Sequence, residues 1–178
     1  MIHFVASGPN VLKTWRDGLV KTGDIVCGVN GAVRYIKGEV DWWAVGDRGT
    51  LYDKALDPPV DPTPTIGILT DEGSVKHFSP WANIVVVHPF WPLQTSRWFT
   101  APAAASYLME TCPARCMTCY GVDLAGISYA WGSNCDANDE AAAARWHLER
   151  MAWTALVRKY GPKRFIGLPG FLLEAALA

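Results

Sequence analysis

The chain has 178 residues, 50% of them hydrophobic, which is enough to bury the core of one compact domain spanning residues 1–178. Sixteen Lys and Arg residues against seventeen Asp and Glu give a formal net charge of −1, which argues against a large non-specific binder of the nucleic-acid phosphate backbone but not against a mononucleotide site. No run approaches the roughly 18 uncharged apolar residues of a membrane span, and the opening MIHFVASGPN lacks the features of a signal peptide.

Cysteine content gives an expectation about location. The five cysteines are an odd number, which favours reduced thiols over a disulfide framework. Together with the lack of a signal peptide, this predicts a cytoplasmic protein.

Strand-like and helix-like segments alternate along the first part of the chain. One face of the first helical pattern carries Val11, Leu12, Trp15 and Leu19. In chain order we predict a strand over 2–7, a helix over 10–21, strands over 24–30 and 41–47, a short helix over 48–56 and a proline-rich loop over 57–65.

The second part continues the same alternation. Its longest helical pattern has Asp136 or Asn138 as the candidate N-cap and stops at Gly161. In chain order we predict strands over 66–70 and 83–88, a loop over 89–100, a helix over 101–112, a strand over 116–124, a helix over 136–161, a strand over 164–170 and a final short helix.

The predicted strands are almost uniformly apolar, which is typical of parallel strands that are buried on both faces. Alternation of such strands with helices indicates an α/β fold. We therefore predict a three-layer Rossmann-like sandwich, with a mostly parallel sheet and helices on both faces.

Polar residues and glycines follow several of these strands, at the sheet edge where open parallel sheets bind ligands. A glycine lets the backbone approach a ligand closely, and a helix N-terminus presents free N–H groups to a phosphate. This edge is predicted to carry Ser7, Gly8, Pro9 and Asn10 after the first strand, Asn30 and Gly31 after the second, Asp47 after the third, and Asp123 after the strand over 116–124.

The segments VASGPN, DIVCGVNGAV, DWWAVGD and GVDLAG resemble, in this order, a Rossmann-like superfamily. It includes 6-hydroxymethylpterin diphosphokinase-like proteins and small single-domain bacterial sialyltransferases, and the chain is most similar to its short phage-encoded members. The resemblance covers most of the chain in element order. It implies that Gly8, Pro9, Asn10 and Asn30 hold the nucleotide portion of a donor, with Asp47 and Asp123 lining the pocket. A phage origin would place the protein in the host cytoplasm.

The chain departs from the superfamily at three places. The superfamily turn usually has Ser where this chain has Asn10, a change that is tolerable because both residues cap helices. Members often have a Ser/Thr–Gly pair at the start of the helix before the late strand, whereas here Thr100 is followed by alanines, and Thr100 remains a nucleotide-binding candidate. The sialyltransferases use a C-terminal histidine as general base, which this chain lacks. Among its histidines, His88 has the best position for acid–base chemistry, His3 is predicted to be structural, and His147 is predicted to lie on a helix surface.

Cys112, Cys116 and Cys119 have the spacing of a radical-SAM iron–sulfur motif. They come late in the chain, and Cys119 lies inside a predicted strand, so a shared cluster would need unusual geometry. A zinc site that also used Cys135 is geometrically easier, but buried cysteines commonly act as small hydrophobic residues. We therefore predict no metal site for these cysteines.

Nine tryptophans are expected mainly to pack in the core, although Trp98 and Trp131 lie in segments where a base or sugar could stack. The leading hypothesis is a nucleotide-binding transferase that uses a nucleotide-sugar or nucleoside-diphosphate donor. Its phosphates would lie at the start of helix 10–21, and Asn30 would contact the base or ribose. Asp47 or Asp123 would orient the acceptor or hold a divalent cation, and His88 would act as base.

Two alternatives remain open from the sequence. The chain could be a non-catalytic nucleotide-sensing or nucleotide-sequestering module, such as a phage accessory protein, or a purely structural interaction protein. Its oligomeric state is also open, a homo-oligomer included. No dinucleotide, P-loop or zincin motif occurs.

Overall fold

A computed structural model of the chain describes residues 1–46, 62–78, 83–87, 99–130, 132 and 138–177. The predicted helix over 48–56 and most of the loops over 57–65 and 89–100 lie outside the described residues, as do Asp47, His88, Trp98, Trp131 and Cys135.

The described residues form a seven-stranded sheet in which every pairing is parallel. Its spatial order is β5-β4-β3-β2-β1-β6-β7. The strands are β1 (Ile2–Val5), β2 (Ile25–Val29), β3 (Trp42–Ala44), β4 (Gly67–Thr70), β5 (Ile84–Val86), β6 (Met117–Tyr120) and β7 (Phe165–Ile166). Four α-helices lie within the described ranges: α1 (Val11–Thr14), α2 (Thr100–Thr111), α3 (Asp139–Tyr160) and α4 (Gly170–Leu177).

Helical segments cover both faces of the sheet, which confirms the predicted α/β sandwich. Alternate strand residues such as Phe4 and Cys119 pack in the main core against Leu108 of α2, Trp153 of α3 and Leu172 of α4. On the opposite face, smaller clusters bury side chains from α1 and from 3-10 turns; the residues include Val11, Trp15, Val33 and Phe78. In the part of the chain that the structure describes, the second face is therefore covered by shorter helical segments than the first.

The longest helix, α3, begins and ends as its sequence predicts. The Asn138 side chain accepts a hydrogen bond of 2.8 Å from the N–H of Ala141, which makes Asn138 the N-cap. Acidic residues occupy the first turn and basic residues the last, which favours the helix dipole. Gly161, at φ +89°, ends the helix.

The predicted helix over 10–21 is wrong in length. Only Val11–Thr14 is α-helical; Trp15 and Arg16 are extended, and a 3-10 turn follows at Asp17–Leu19. Trp15 is buried, and its indole N–H donates to the carbonyl of Tyr35 at 3.0 Å. Burying this large ring under the sheet thus outweighs the local helical preference.

Only part of the apolar face predicted for the helix over 10–21 is buried. Leu12 and Leu19 are 52% and 42% exposed, so they do not belong to the buried face predicted for them.

Within the described residues, no helix is both long enough and apolar enough to cross a membrane.

Candidate functional site at the carboxyl edge of the sheet

The strand order places a topological switch point between β1 and β6. Strands β2 to β5 lie successively farther from β1 on one side, whereas β6 pairs with the other side of β1. In open parallel sheets, ligands bind in the crevice outside the carboxyl ends of the strands at such a point. The predicted site residues Gly8 and Asn10 follow β1, and Asp123 follows β6.

A direct hydrogen bond joins the two sides of this crevice. The backbone N–H of Asn10 donates to Oδ2 of Asp123 at 2.8 Å. A second bond, from the N–H of Gly8 to the carbonyl of Gly121, measures 2.9 Å. The structure therefore brings Asp123 next to Gly8 and Asn10, from which it is more than a hundred residues away in sequence.

Two glycines make this close contact possible. A Cβ at Gly8 would lie 2.5 Å from both Oδ2 of Asp123 and the carbonyl oxygen of Gly121, closer than real atoms approach. Gly121 has φ +69°, and a Cβ there would meet the carbonyl oxygen of Ala6 at 2.6 Å. Side chains at either position would push the two loops apart.

The longest helix holds the loop that carries Asp123. Arg150 of α3 donates to the carbonyl of Leu124 at 2.8 Å, and the indole N–H of Trp146 donates to the carbonyl of Gly126 at 2.7 Å. Because Leu124 is buried with a positive φ of 53°, its backbone has little freedom. Together with the bond from the Gly8 N–H to the Gly121 carbonyl, these contacts position the Asp123 carboxylate from both ends of its loop.

The turn at the start of α1 differs from the phosphate-binding turn that was expected. The helix has four residues, and the Asn10 N–H at its start is already bonded by a carboxylate. A phosphate at that N–H would have to displace Asp123 or lie beside it against charge repulsion.

Ser7 and Asn30 form a neighbouring polar cluster on the β2 side of β1. The Ser7 hydroxyl donates to the carbonyl of Val29 at 3.2 Å. Oδ1 of Asn30 accepts from the N–H of Gly46 at 3.4 Å, and its carbonyl accepts from the Trp43 indole at 3.2 Å. Asn30 has a positive φ of 48°, which asparagine tolerates better than most residues. Its amide therefore links the ends of β2 and β3.

The remaining predicted residues are more dispersed. Pro9 is exposed, whereas Gly31 is buried at the start of the 3-10 segment Asn30–Tyr35. Thr100 is 8% exposed at the start of α2. Asp47 and His88 lie outside the described residues.

A cavity of about 340 Å³ lies beside the Asn10–Asp123 contact, on the β6 and β7 side. Its wall includes both of these residues together with Thr118 and Tyr120 of β6 and the turn after β7, which contains Pro169. Asn30 and Ser7 do not line it, since they lie across β1. The carboxyl edge thus offers a cavity at β1 and β6 and a separate polar cluster at β2 and β3.

Thr118 and Tyr120 were not among the predicted site residues. They alternate along β6, so they point to the same face of the sheet as His3 and Trp15, whereas Cys119 points into the main core. That alternation within MTCY was the available sequence signal. The position of the cavity over β6 could only come from the strand order.

The cysteines have different environments. Cys27 and Cys119 are buried, and burial raises the pKa of both thiols well above its usual range, which disfavours thiolate ligands. Cys112 and Cys116 are partly exposed. Among the described residues, no three His, Cys, Asp or Glu side chains are grouped to hold a metal ion.

The chain was compared with protein-family models, with curated proteins and with solved structures, and it matches none of them significantly.

Proposed function

We propose that the protein binds a nucleotide or nucleotide sugar at the carboxyl edge of its sheet and transfers a group from it, as a glycosyltransferase-like or diphosphotransferase-like protein. One observation carries this proposal: the Asn10–Asp123 contact and its cavity lie at the topological switch point of a Rossmann-like sheet. The resemblance of VASGPN, DIVCGVNGAV and GVDLAG to nucleotide-using proteins supports the same ligand class.

Asp123 has the chemistry to contact hydroxyl groups. An ionised carboxylate only accepts hydrogen bonds, and its two oxygens have about four acceptor positions, of which Asn10 uses one. The free positions can accept from a ribose, a sugar or an acceptor alcohol in the cavity. In a transfer reaction the same carboxylate would orient the attacking hydroxyl and accept its proton.

Charge decides how the ligand would lie. Phosphate groups are repelled by the Asp123 carboxylate, so the sugar side of the ligand would face Asp123. A diphosphate could approach Asp123 through a divalent cation, whose preferred ligands are oxygens. A ligand extended across the end of β1 would place its other part near Ser7 and Asn30, where Asn30 could contact a base or ribose.

A non-catalytic nucleotide-binding or nucleotide-sensing role is the second candidate. It is favoured by the structural bond of Asp123, because a carboxylate that ties two loops together need not perform chemistry. Such a module, for example a phage accessory protein, would bind the same ligand without consuming it. Incubation with nucleotide sugars separates the two roles, since only a transferase releases free nucleotide.

Isothermal titration calorimetry tests the binding claim. The panel is UMP, UDP, UDP-glucose, CMP-sialic acid, ATP and GTP, each with and without Mg²⁺. We expect at least one to bind, and Asn30→Ala to weaken it by roughly fivefold, the value of one hydrogen bond. Asn83→Ala is the matched control, because Asn83 donates to the carbonyl of Ile66 at the opposite edge of the sheet. No binding across the panel, or equal binding by both variants, would contradict the proposal.

A further inference from the structure

A chain of hydrogen bonds runs from Asp24 to the wall of the cavity. Oδ2 of Asp24 lies 3.1 Å from Nε2 of His3, and Nδ1 of His3 lies 3.0 Å from the hydroxyl oxygen of Tyr120. Tyr120 lines the cavity beside Asp123, and so does Thr118. The three side chains come from distant parts of the sequence and form a carboxylate–imidazole–phenol series.

Packing fixes the geometry of this series. His3 is 4% exposed and stacks on the Tyr120 ring, with centroids 5.9 Å apart and an interplanar angle of 13°. Trp15 meets both rings edge-on, at 6.0 Å from His3 and 5.1 Å from Tyr120. Neither ring can turn away without opening the cluster that Trp15 buries.

The Asp24 carboxylate determines which nitrogen of neutral His3 carries hydrogen. Hydrogen bonds from the amino group of Met1, and then from His3 and the Lys21 N–H, outweigh burial and hold the pKa of Asp24 far below its usual range. An ionised carboxylate accepts only, so Nε2 of His3 must carry the hydrogen that faces it. Nδ1 is then the bare nitrogen, and the Tyr120 hydroxyl donates to it.

Protonation of His3 reverses this last bond. Both imidazole nitrogens then carry hydrogen, so Nδ1–H donates to the Tyr120 oxygen. The phenolic hydrogen must then turn to another acceptor, and Thr118, two residues earlier on the same face of β6, lines the cavity as Tyr120 does. Protonation of His3 thus changes the Tyr120 hydroxyl from a donor to an acceptor toward His3, and its O–H group then donates to a different partner.

We propose that Tyr120 contacts the ligand in the cavity and that His3 and Asp24 are positioning residues that set the direction of its O–H group. With neutral His3, Tyr120 offers lone pairs to a ligand hydroxyl. With protonated His3, it donates to a ligand oxygen such as a phosphate or carbonyl. The identity of the ligand rests on the proposed function, whereas the coupling between His3 and Tyr120 does not.

Several charged groups lie close to His3. Asp24 contacts its Nε2 at 3.1 Å, and the Met1 amino group lies 2.7 Å from the same carboxylate. Arg115, just before β6, donates to the carbonyls of Met1 and Gly23 and adds a second positive charge at this end of the sheet. Tyr120 is a further titratable neighbour, and burial raises its pKa, so its phenol stays protonated at neutral pH.

NMR of the ¹⁵N,¹³C-labelled chain tests the coupling without any ligand. We expect neutral His3 to be the Nε2–H tautomer, and the Cζ shift of Tyr120 to change with the same midpoint pH as the His3 ring. In Asp24→Asn the side chain can donate as well as accept, so the preference of neutral His3 for the Nε2–H tautomer should weaken. The exposed His147, which is outside this series of side chains, serves as the control histidine. An Nδ1–H tautomer of neutral His3 would overturn the coupling. So would a Tyr120 Cζ chemical shift that does not change with pH together with the His3 ring signals.

Calorimetry below and above the His3 midpoint tests the ligand contact, using the same nucleotide panel. In the wild type, the dissociation constant of the bound nucleotide should change by roughly fivefold between the two pH values. Tyr120→Phe should abolish that change and keep the ring packing. Tyr160→Phe is the control, since its hydroxyl contacts Ser106 and Glu110 away from the cavity.

The possible results separate the two claims. Asn30→Ala should weaken binding and keep its pH dependence. If Tyr120→Phe retains the full pH dependence, the Tyr120 contact is wrong although nucleotides bind. If no nucleotide in the panel binds, the proposed function and the nucleotide contact of Tyr120 both fail, and the NMR result alone decides the His3–Tyr120 coupling.

Discussion

Oδ2 of Asp123 accepts the backbone N–H of Asn10 at 2.8 Å, and this bond closes one side of the crevice between β1 and β6. In phosphate-binding turns, an amide at the start of the first helix is left for the ligand. Here a carboxylate of the chain itself uses it. The crevice therefore presents hydrogen-bond acceptors where an anion-binding turn was expected, and a ligand should meet it with hydroxyl groups.

Gly8→Ala should destabilise the protein by about 1–3 kcal/mol, the usual cost of forcing extra volume into a packed site. The added Cβ would collide with Asp123 and with the carbonyl of Gly121. Urea unfolding at neutral pH measures the loss. Gly18→Ala is the control, because a Cβ at Gly18 meets nothing within 4 Å. Equal stability of the two variants would show that the loops at Gly8 and Gly121 are not in close contact.

Asp123→Asn separates the structural role of this residue from its binding role. The amide oxygen can still accept from Asn10, but without charge, so we expect a loss of about 0.5–1.5 kcal/mol in unfolding free energy. Asp17→Asn is a matched control, since Asp17 accepts the N–H of Lys37 at 2.7 Å on the opposite edge. Urea unfolding should give similar losses for both variants.

Only the Asp123 variant should also lose nucleotide affinity, by roughly tenfold, because a hydrogen bond to a charged group is worth about 1.5 kcal/mol or more. Calorimetry on both variants measures this difference. Unchanged affinity in Asp123→Asn would remove Asp123 from the ligand site.

Thiol reactivity should follow burial. Cys27 and Cys119 have raised pKa values because they are buried, so little thiolate forms at pH 8. Iodoacetamide on the native protein, followed by peptide mass spectrometry, should modify Cys112 and Cys116 first and leave the buried pair intact until urea is added. Rapid native alkylation of Cys119 would contradict its position in the core.

Asp24→Asn should destabilise the protein by about 1–2 kcal/mol at neutral pH, because Asp24 loses charged hydrogen bonds to the Met1 amino group and His3. The folded-state pKa of Asp24 is lowered, so its contribution is complete above the unfolded value of about 3.9 and is lost as pH falls toward the folded value. Urea unfolding from neutral to acid pH should therefore show the two proteins converging as pH falls. A constant or growing difference would contradict this.

The sequence was sufficient to predict the class of the fold and most of its elements. Uniformly apolar runs located the strands, and the end signals of α3 at Asn138 and Gly161 matched its observed limits. The prediction of a helix over 10–21 was wrong because burial of Trp15 under the sheet, a tertiary effect, outweighs the helical periodicity of the sequence. The strand over 164–170 has only two residues, Phe165–Ile166, since it lies at the edge of the sheet and pairs on one side.

The site was predictable only in part. The rule that ligands bind at the carboxyl ends of parallel strands selected Gly8, Asn10 and Asp123, and the structure brings these three together. The same rule does not predict that β6 pairs with β1, because pairing between segments so far apart in sequence depends on the whole fold. For the same reason, the contact between Tyr120 and His3, which lies inside the first strand, was not predictable from the sequence.

Amide chemical-shift mapping in ¹H–¹⁵N NMR spectra tests most directly whether a nucleotide occupies the crevice. Adding a nucleotide from the panel that binds should shift the amides of Gly8, Asn10, Gly121 and Asp123, which surround the contact between β1 and β6. The amide chemical shifts of Gly23 and Lys163, near the amino ends of β2 and β7, should not change. Shifts confined to that opposite edge, or no shifts with any nucleotide, would contradict a nucleotide site at the switch point.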